Sequence, residues 1–394
     1  MDSIIYLAFR YVLYHRFKTT ILIFCVSLSI FLPLAGKSVL DDVEGEMRAR
    51  AVDTPFVIGA KGSQFDLALH ALYLDIKPPE TISYSAFRFV RKAKPGFILP
   101  IYRAHVVREN KPVVGTDLSY FDFRGLELAE GKLFSRIGHC VIGSRVAQEL
   151  DVSVGDQLIS KPENDMNLAG ATPVKMDIVG ILEYTGSSDD DAVFTDIKTT
   201  WVIDGLGHGH DDLEHEKDEN LFLDKDEHMA TANQGVLPYI EITDENVGTI
   251  HFHGDPDDFP ITAILLHPAD DKSATLLEGA IKRQDELLLQ MVEPKLVIES
   301  LVAKILKVKS LFDLGSLVIL IVTILFLVLN TVLSMRLRQR EMTTLFKMGC
   351  GRFTIFGLFF WEYTIVLLIS LIVSLSATFL AANYLKEIVM TAIR

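Results

Sequence analysis

The sequence predicts an α-helical membrane protein with a large α+β extracytoplasmic domain inserted between its first and second transmembrane helices. Three observations predict it. Apolar residues gather into three runs, each long enough for the roughly 20 residues that a helix needs to cross a bilayer. The short segments flanking these runs are basic. The long interval between the first and second runs is acidic and reads as short strands and helices.

Composition narrows the field further. Of 394 residues, 49% are hydrophobic and 23% charged, too apolar for a disordered chain. Three cysteines exclude a disulfide scaffold. No domain-sized stretch is basic, so nucleic acid is not an expected partner.

Residues 1–18 read as a cytoplasmic amphipathic segment carrying Arg10, Arg16 and Lys18 against Asp2. Residues 19–40 form the first predicted span, free of charge until Lys37. A cleaved signal peptide is disfavoured because the apolar core is too long and no A-x-A site follows. Lys37 stands after Leu34-Ala35-Gly36 where a lipidated cysteine would be needed, so this span reads as an uncleaved anchor. Residues 311–335 form the second span, with only Asp313 charged at its edge. Residues 336–352 form a loop with five basic residues against Glu341. Residues 353–385 form the third span, longer than one straight crossing requires and open to a break, and 386–394 form a tail.

Basic short segments stay in the cytoplasm. The N-terminus and the loop 336–352 are therefore expected inside, and residues 41–310 outside, in the setting of a bacterial inner membrane. Residues 41–310 hold 27 Lys+Arg against 47 Asp+Glu, a net −20, and the remainder carries +6. Cys140 is the lone cysteine outside, so no disulfide forms within that domain, and its apolar strand context marks it as core.

Within the outer domain, 41–55 reads as a helical stalk broken by Pro55, with helices 273–293 and 295–310 returning to the second span. Between them lie strand signals at Phe56–Gly59, Val113–Gly115, Cys140–Gly143, Lys175–Leu182 and Thr262–Leu266, with a helix at Ser144–Leu150. The strand Ile178–Leu182 leads to an acidic turn at Asp189–Asp191.

Two phrases carry a resemblance. The stretch CVIGSRVAQELDVSVGDQLIS followed by DIVGIL is similar to the extracytoplasmic core domain of MacB/FtsX-type ABC-transporter permeases. The stretch RLRQREMTTLFKMGCGRFTIFGLFFWEYTIVLLISLIVSLSA resembles the hallmark of the same family: a basic loop, a short helix, a glycine turn, and a span with an early Glu. The resemblance implies a non-catalytic membrane subunit that couples ATP hydrolysis by a separate ATPase to movement of the outer domain, for export or for extraction of lipid or lipoprotein. It also implies ATPase coupling through Arg338, Arg340, Glu341, Leu345, Phe346, Lys347 and Gly349. A homodimer, contact with membrane lipid and room for a periplasmic adaptor follow as expected associations. The family pattern ends with a fourth span. Here the readings are three spans, two short crossings within 353–390, or an incomplete chain.

The residues add their own arguments. A P-loop needs G-x-x-x-x-G-K-[ST]. Gly36-Lys37-Ser38 supplies only its end, with Phe31 where the first Gly belongs, so ATP is expected on the partner. Glu341, Thr344, Leu345 and Met348 share one helical face, and Met342, Phe346 and Gly349 another, as a docking helix requires. The bland alternative is a positive anchor with snorkelling arginines. Glu362 lies inside the third apolar run, where a carboxylate is costly. It reads as a functional proton or substrate group, or as a partner of Arg352 or a neighbouring chain.

Seven of the eleven histidines fall between 208 and 267. His208, His210, His215, His251 and His253, mixed with carboxylates, are candidate zinc ligands. His251-Phe252-His253 on a strand puts both imidazoles on one face, a half-site. The H-E-x-x-H metalloprotease pattern fails because Glu219 replaces the second His. The competing reading is a solvated His/acid-rich loop over about 205–234. The runner-up function is accordingly a membrane-anchored sensor or metal-binding receptor without transport. No G-x-S-x-G elbow supports a hydrolase.

Overall fold

The structure, a computed structural model, describes residues 2–74, 80–162, 173–208, 222–226, 229–232, 239–284 and 286–393. The chain forms two compact units, one from residues 1–47 with 299–393 and one from 48–298.

The first unit is helical. A leading helix (Asp2–Tyr14) precedes the first long helix (Arg16–Val52). The second long helix (Pro294–Leu337), a short helix (Gln339–Lys347) and the third long helix (Arg352–Ile393) complete it. Pro294 opens the second long helix where its missing N–H costs nothing. Among the described residues three helical stretches are long and apolar enough to cross a membrane: Arg16–Ser38, Ser310–Leu337 and Phe353–Ala381. The third apolar run is one unbroken helix of 42 residues, about 60 Å at the helical rise.

The leading helix buries Ala8 and Val12 and packs along the third long helix. Small polar groups join the spans: the Ser27 hydroxyl donates to the Ser370 carbonyl at 3.1 Å, and the Ser29 and Thr323 hydroxyls lie 2.7 Å apart. In hydrocarbon such interhelical bonds replace the hydrophobic drive that water would supply.

The second unit is built on a mixed sheet. Across it run Ile240–Glu241, Val174–Leu182, His139–Ile142, Val193–Asp196, Pro112–Thr116, Gly96–Val106, Ala263–Pro268, Phe56–Ala60 and Leu289–Val292. Val174–Leu182 alternates buried and half-buried positions along its whole length, as a strand with one covered face must. One face packs Leu67, Ala68 and Ala71 of the helix Gln64–Tyr73 against Val57, Leu99 and Phe194. The opposite face packs Phe87, Trp201, Leu277 and Ile281 against Ile58, Ile264 and Leu266. Each fully buried Leu, Ile or Phe contributes about 1.5–3 kcal/mol by burial.

The strand and helix signals of the sequence appear where they were expected, with two corrections. The stretch read as a loop over about 205–234 carries the antiparallel strand pair Phe222–Asp226 and Met229–Ala232. The helix expected over 273–293 ends at Arg283, and Leu289–Val292 is a strand paired antiparallel to Val57–Ala60. An open sheet edge with apolar Leu289 and Val292 opposite it outweighs helix propensity there. Cys140 is fully buried, and burial pushes its thiol pKa up.

Candidate functional site

Three clusters gather the candidate residues. The first surrounds the short helix. Gly349 adopts φ +94° after its last turn, a conformation that glycine takes without strain. The Gly349 N–H donates to the Phe346 carbonyl at 3.1 Å and the Cys350 N–H to the Leu345 carbonyl at 3.1 Å. These two bonds form the Schellman cap that ends a helix sharply.

At the other end Arg338 gathers three elements. Its Nε lies 3.2 Å from Glu341 Oε2 and its Nη1 lies 3.2 Å from Glu362 Oε2. The same guanidinium sits 3.6 Å from the Tyr11 ring centroid and 5.0 Å from that of Phe359. Arg338 partners Glu362, because the reversal of the chain after the second span brings residue 338 back beside residue 362; the side chain of Arg352 lies outside those described. The bond satisfies a carboxylate that is 7% exposed. Nearby, Lys18 donates to the Ser334 hydroxyl.

The predicted coupling residues divide between two faces. Leu345 is half-buried and lines, with Leu7, Tyr11, Thr344 and Met348, a groove of about 420 Å³. Arg340, Phe346 and Lys347 are exposed on the short helix, Phe346 at 55%.

The second cluster was not legible in the sequence, where Asp189–Asp191 reads only as an acidic turn. Asp189 and Asp190 are each 1% exposed. Arg50, near the end of the first long helix, grips Asp189 with both terminal guanidinium nitrogens at 2.8 and 3.0 Å. Tyr120 donates its hydroxyl to Asp189 at 2.7 Å. Asp190 accepts the Thr185 and Gly186 N–H groups at 3.0 and 2.7 Å. Asp191 pairs with Lys111 and Arg145. Burial pushes the Asp189 carboxyl pKa up. The adjacent Arg50 charge and its hydrogen bonds, helped by Arg124 and Tyr120, outweigh burial and hold it well below the usual carboxylate range. Burial and the Asp189 charge raise the Tyr120 phenol pKa.

The third cluster is His208, His251 and His253. Their ring centroids are 4.7 Å apart in every pairing. His210 and His215 lie outside the described residues, so only three of the five candidate ligands are placed, and those three are brought together. Gly36-Lys37-Ser38 lies inside the first long helix, where backbone N–H groups serve helical bonds and form no phosphate cradle.

Apolar spans, an α+β domain between the first two of them and a capped basic helix before the third define a membrane permease subunit. A family model described as the MacB-like periplasmic core domain matches residues 21–232, and one described as the FtsX-like permease C-terminal matches residues 314–394. The first alone spans more than half of the chain, and the protein belongs to the MacB/FtsX-type family of ABC-transporter permeases. Among solved structures, the periplasmic region of MacB from Actinobacillus actinomycetemcomitans is 8% identical, with 64% of this chain and 94% of that one covered and a TM-score of 0.37. The extracellular domain of the noncanonic ABC-type transporter YknZ from Gram-positive bacteria is 10% identical, covering 60% and 98%, with a TM-score of 0.31. No curated protein matches the chain.

Proposed function

We propose that this chain couples ATP hydrolysis by a separate cytoplasmic ATPase subunit to movement of its outer domain. The observation that carries the reading is the short helix Gln339–Lys347, fixed at its start by Arg338 and at its end by the Gly349 cap, with Phe346 and two cations exposed between them. An aromatic side chain left uncovered on a basic, cytoplasm-facing helix suits the apolar groove of a protein partner.

Because Leu345 faces the internal groove, the outward docking residues are Arg340, Phe346 and Lys347. Leu345 holds the helix on its support. Motion received there passes into the second and third long helices, whose backbone hydrogen bonds are internal and survive in lipid. The first long helix ends at the Arg50–Asp189 clamp, which ties its last turn to the outer domain. Basic short segments support a short helix on the inside and an acidic domain on the outside. Two copies related by a two-fold axis would present two such helices to an ATPase dimer.

The test is co-purification of the full chain, in detergent, with a cytoplasmic ABC ATPase subunit from the same cells. The native chain is expected to retain the ATPase, and Phe346→Asp to lose most of it while keeping the native melting temperature, since residue 346 is exposed. Equal retention by Phe346→Asp refutes docking through this face.

A further inference from the structure

The strand pair Gly207–His208 and His251–Phe252 is built to show three imidazoles on one side. Phe252 points inward, its ring packing on Trp201 and Phe259 at centroid distances of 6.3 and 5.8 Å. Gly207 stands opposite, and a Cβ there would come within 2.6 Å of the Phe252 ring. With Phe252 inside, alternation turns His251 and His253 outward. His208 is the cross-strand partner of His251 and so shares its face. The His253 N–H donates to the Leu206 carbonyl at 2.8 Å and extends the pairing past His251.

The donor atoms of the three rings lie within 4.8 Å of one another. A tetrahedral ion with bonds of about 2.0–2.1 Å holds its nitrogens roughly 3.3 Å apart, so ring rotations that close about 1.5 Å suffice. His251 Nδ1 lies 3.3 Å from the Thr249 carbonyl oxygen, which can only accept, so this contact favours the proton on Nδ1. Metal-bound histidines are oriented by this kind of second bond. Three imidazole nitrogens with no carboxylate among them favour zinc-class ions over calcium or magnesium. The strong negative charge of the surrounding domain raises the local concentration of cations.

We propose that His208, His251 and His253 form a three-nitrogen site for a borderline divalent transition ion, zinc above all, with a coordination position left open to water or another ligand. This goes beyond the coupling function and does not depend on it. An ion there would staple the two strands together at the surface of the outer domain.

The test uses the full chain in detergent, stripped of metal and titrated with cobalt(II) as a spectroscopic probe, then with zinc in competition. One equivalent of cobalt is expected to give visible absorption of a low-coordinate nitrogen site that zinc abolishes. His208→Ala with His253→Ala should remove the absorption and weaken zinc binding at least tenfold, while the triple variant His210→Ala, His215→Ala, His228→Ala retains both. His253→Asn, a milder change in the same strand, should weaken binding with an unchanged circular dichroism spectrum. No visible absorption at millimolar cobalt, or binding that survives in the His208/His253 variant but not in the triple variant, overturns the proposal.

Discussion

Replacing Arg50 with methionine is expected to destabilise the outer domain by about 3–5 kcal/mol, the cost of stranding one member of a buried ion pair. Methionine fills most of the volume but leaves Asp189, 1% exposed, without its main counter-charge. Thermal unfolding of the full chain, followed through buried Trp201, should fall on the order of 10 °C for a domain of this size. The double variant Arg50→Met, Asp189→Leu should recover much of the loss, because an apolar pair leaves no orphaned charge. A neutral single variant would remove the clamp from the account.

The same carboxylate predicts a pH dependence. Asp189 has its pKa depressed on folding, so its contribution is fully present above the unfolded value of about 3.9 and is lost as pH falls through the folded value. Between about pH 4 and pH 2 the native protein should therefore lose more stability than Asp189→Asn, which has no such proton to take up.

The second large effect is expected at Arg338. Arg338→Leu leaves Glu362 with no ion-pair partner among those described, inside an apolar helix, at a cost of about 3 kcal/mol. It also removes the guanidinium from the Tyr11 and Phe359 rings and the support of the short helix at Glu341. Glu362→Leu should cost less, because a long arginine side chain reaches water by snorkelling. The double variant should sit above Arg338→Leu in thermal stability. Co-purified ATPase should fall in Arg338→Leu, since the short helix loses its anchor. Equal and small effects of both single changes would mean that the pair does not set the helix.

The spans and most strands were legible because their signals are local: run length for the helices, alternation for strands such as Val174–Leu182. The Schellman turn was half legible, since Gly349 at the end of an apolar-basic stretch marks a helix stop. What the sequence hid is long-range. Three consecutive aspartates read only as an acidic turn until Arg50, 139 residues earlier, and Tyr120 are folded onto Asp189. The partner of Glu362 depends on how the chain turns back after the second span. The half-site His251-Phe252-His253 followed from strand alternation, but His208 joins it only through the cross-strand register. The helix expected through residue 293 was cut short because the sheet edge beside Phe56–Ala60 recruits Leu289–Val292.

The most direct measurement uses a native thiol. Cys350 closes the short helix, Cys140 is fully buried, and Cys25 lies in the first span. A membrane-impermeant maleimide should leave Cys350 unmodified in intact cells and label it once the membrane is opened, and saturating ATPase subunit should then protect it. Labelling from outside, or full labelling in the presence of bound ATPase, would contradict a short helix that faces the cytoplasm and receives the motor.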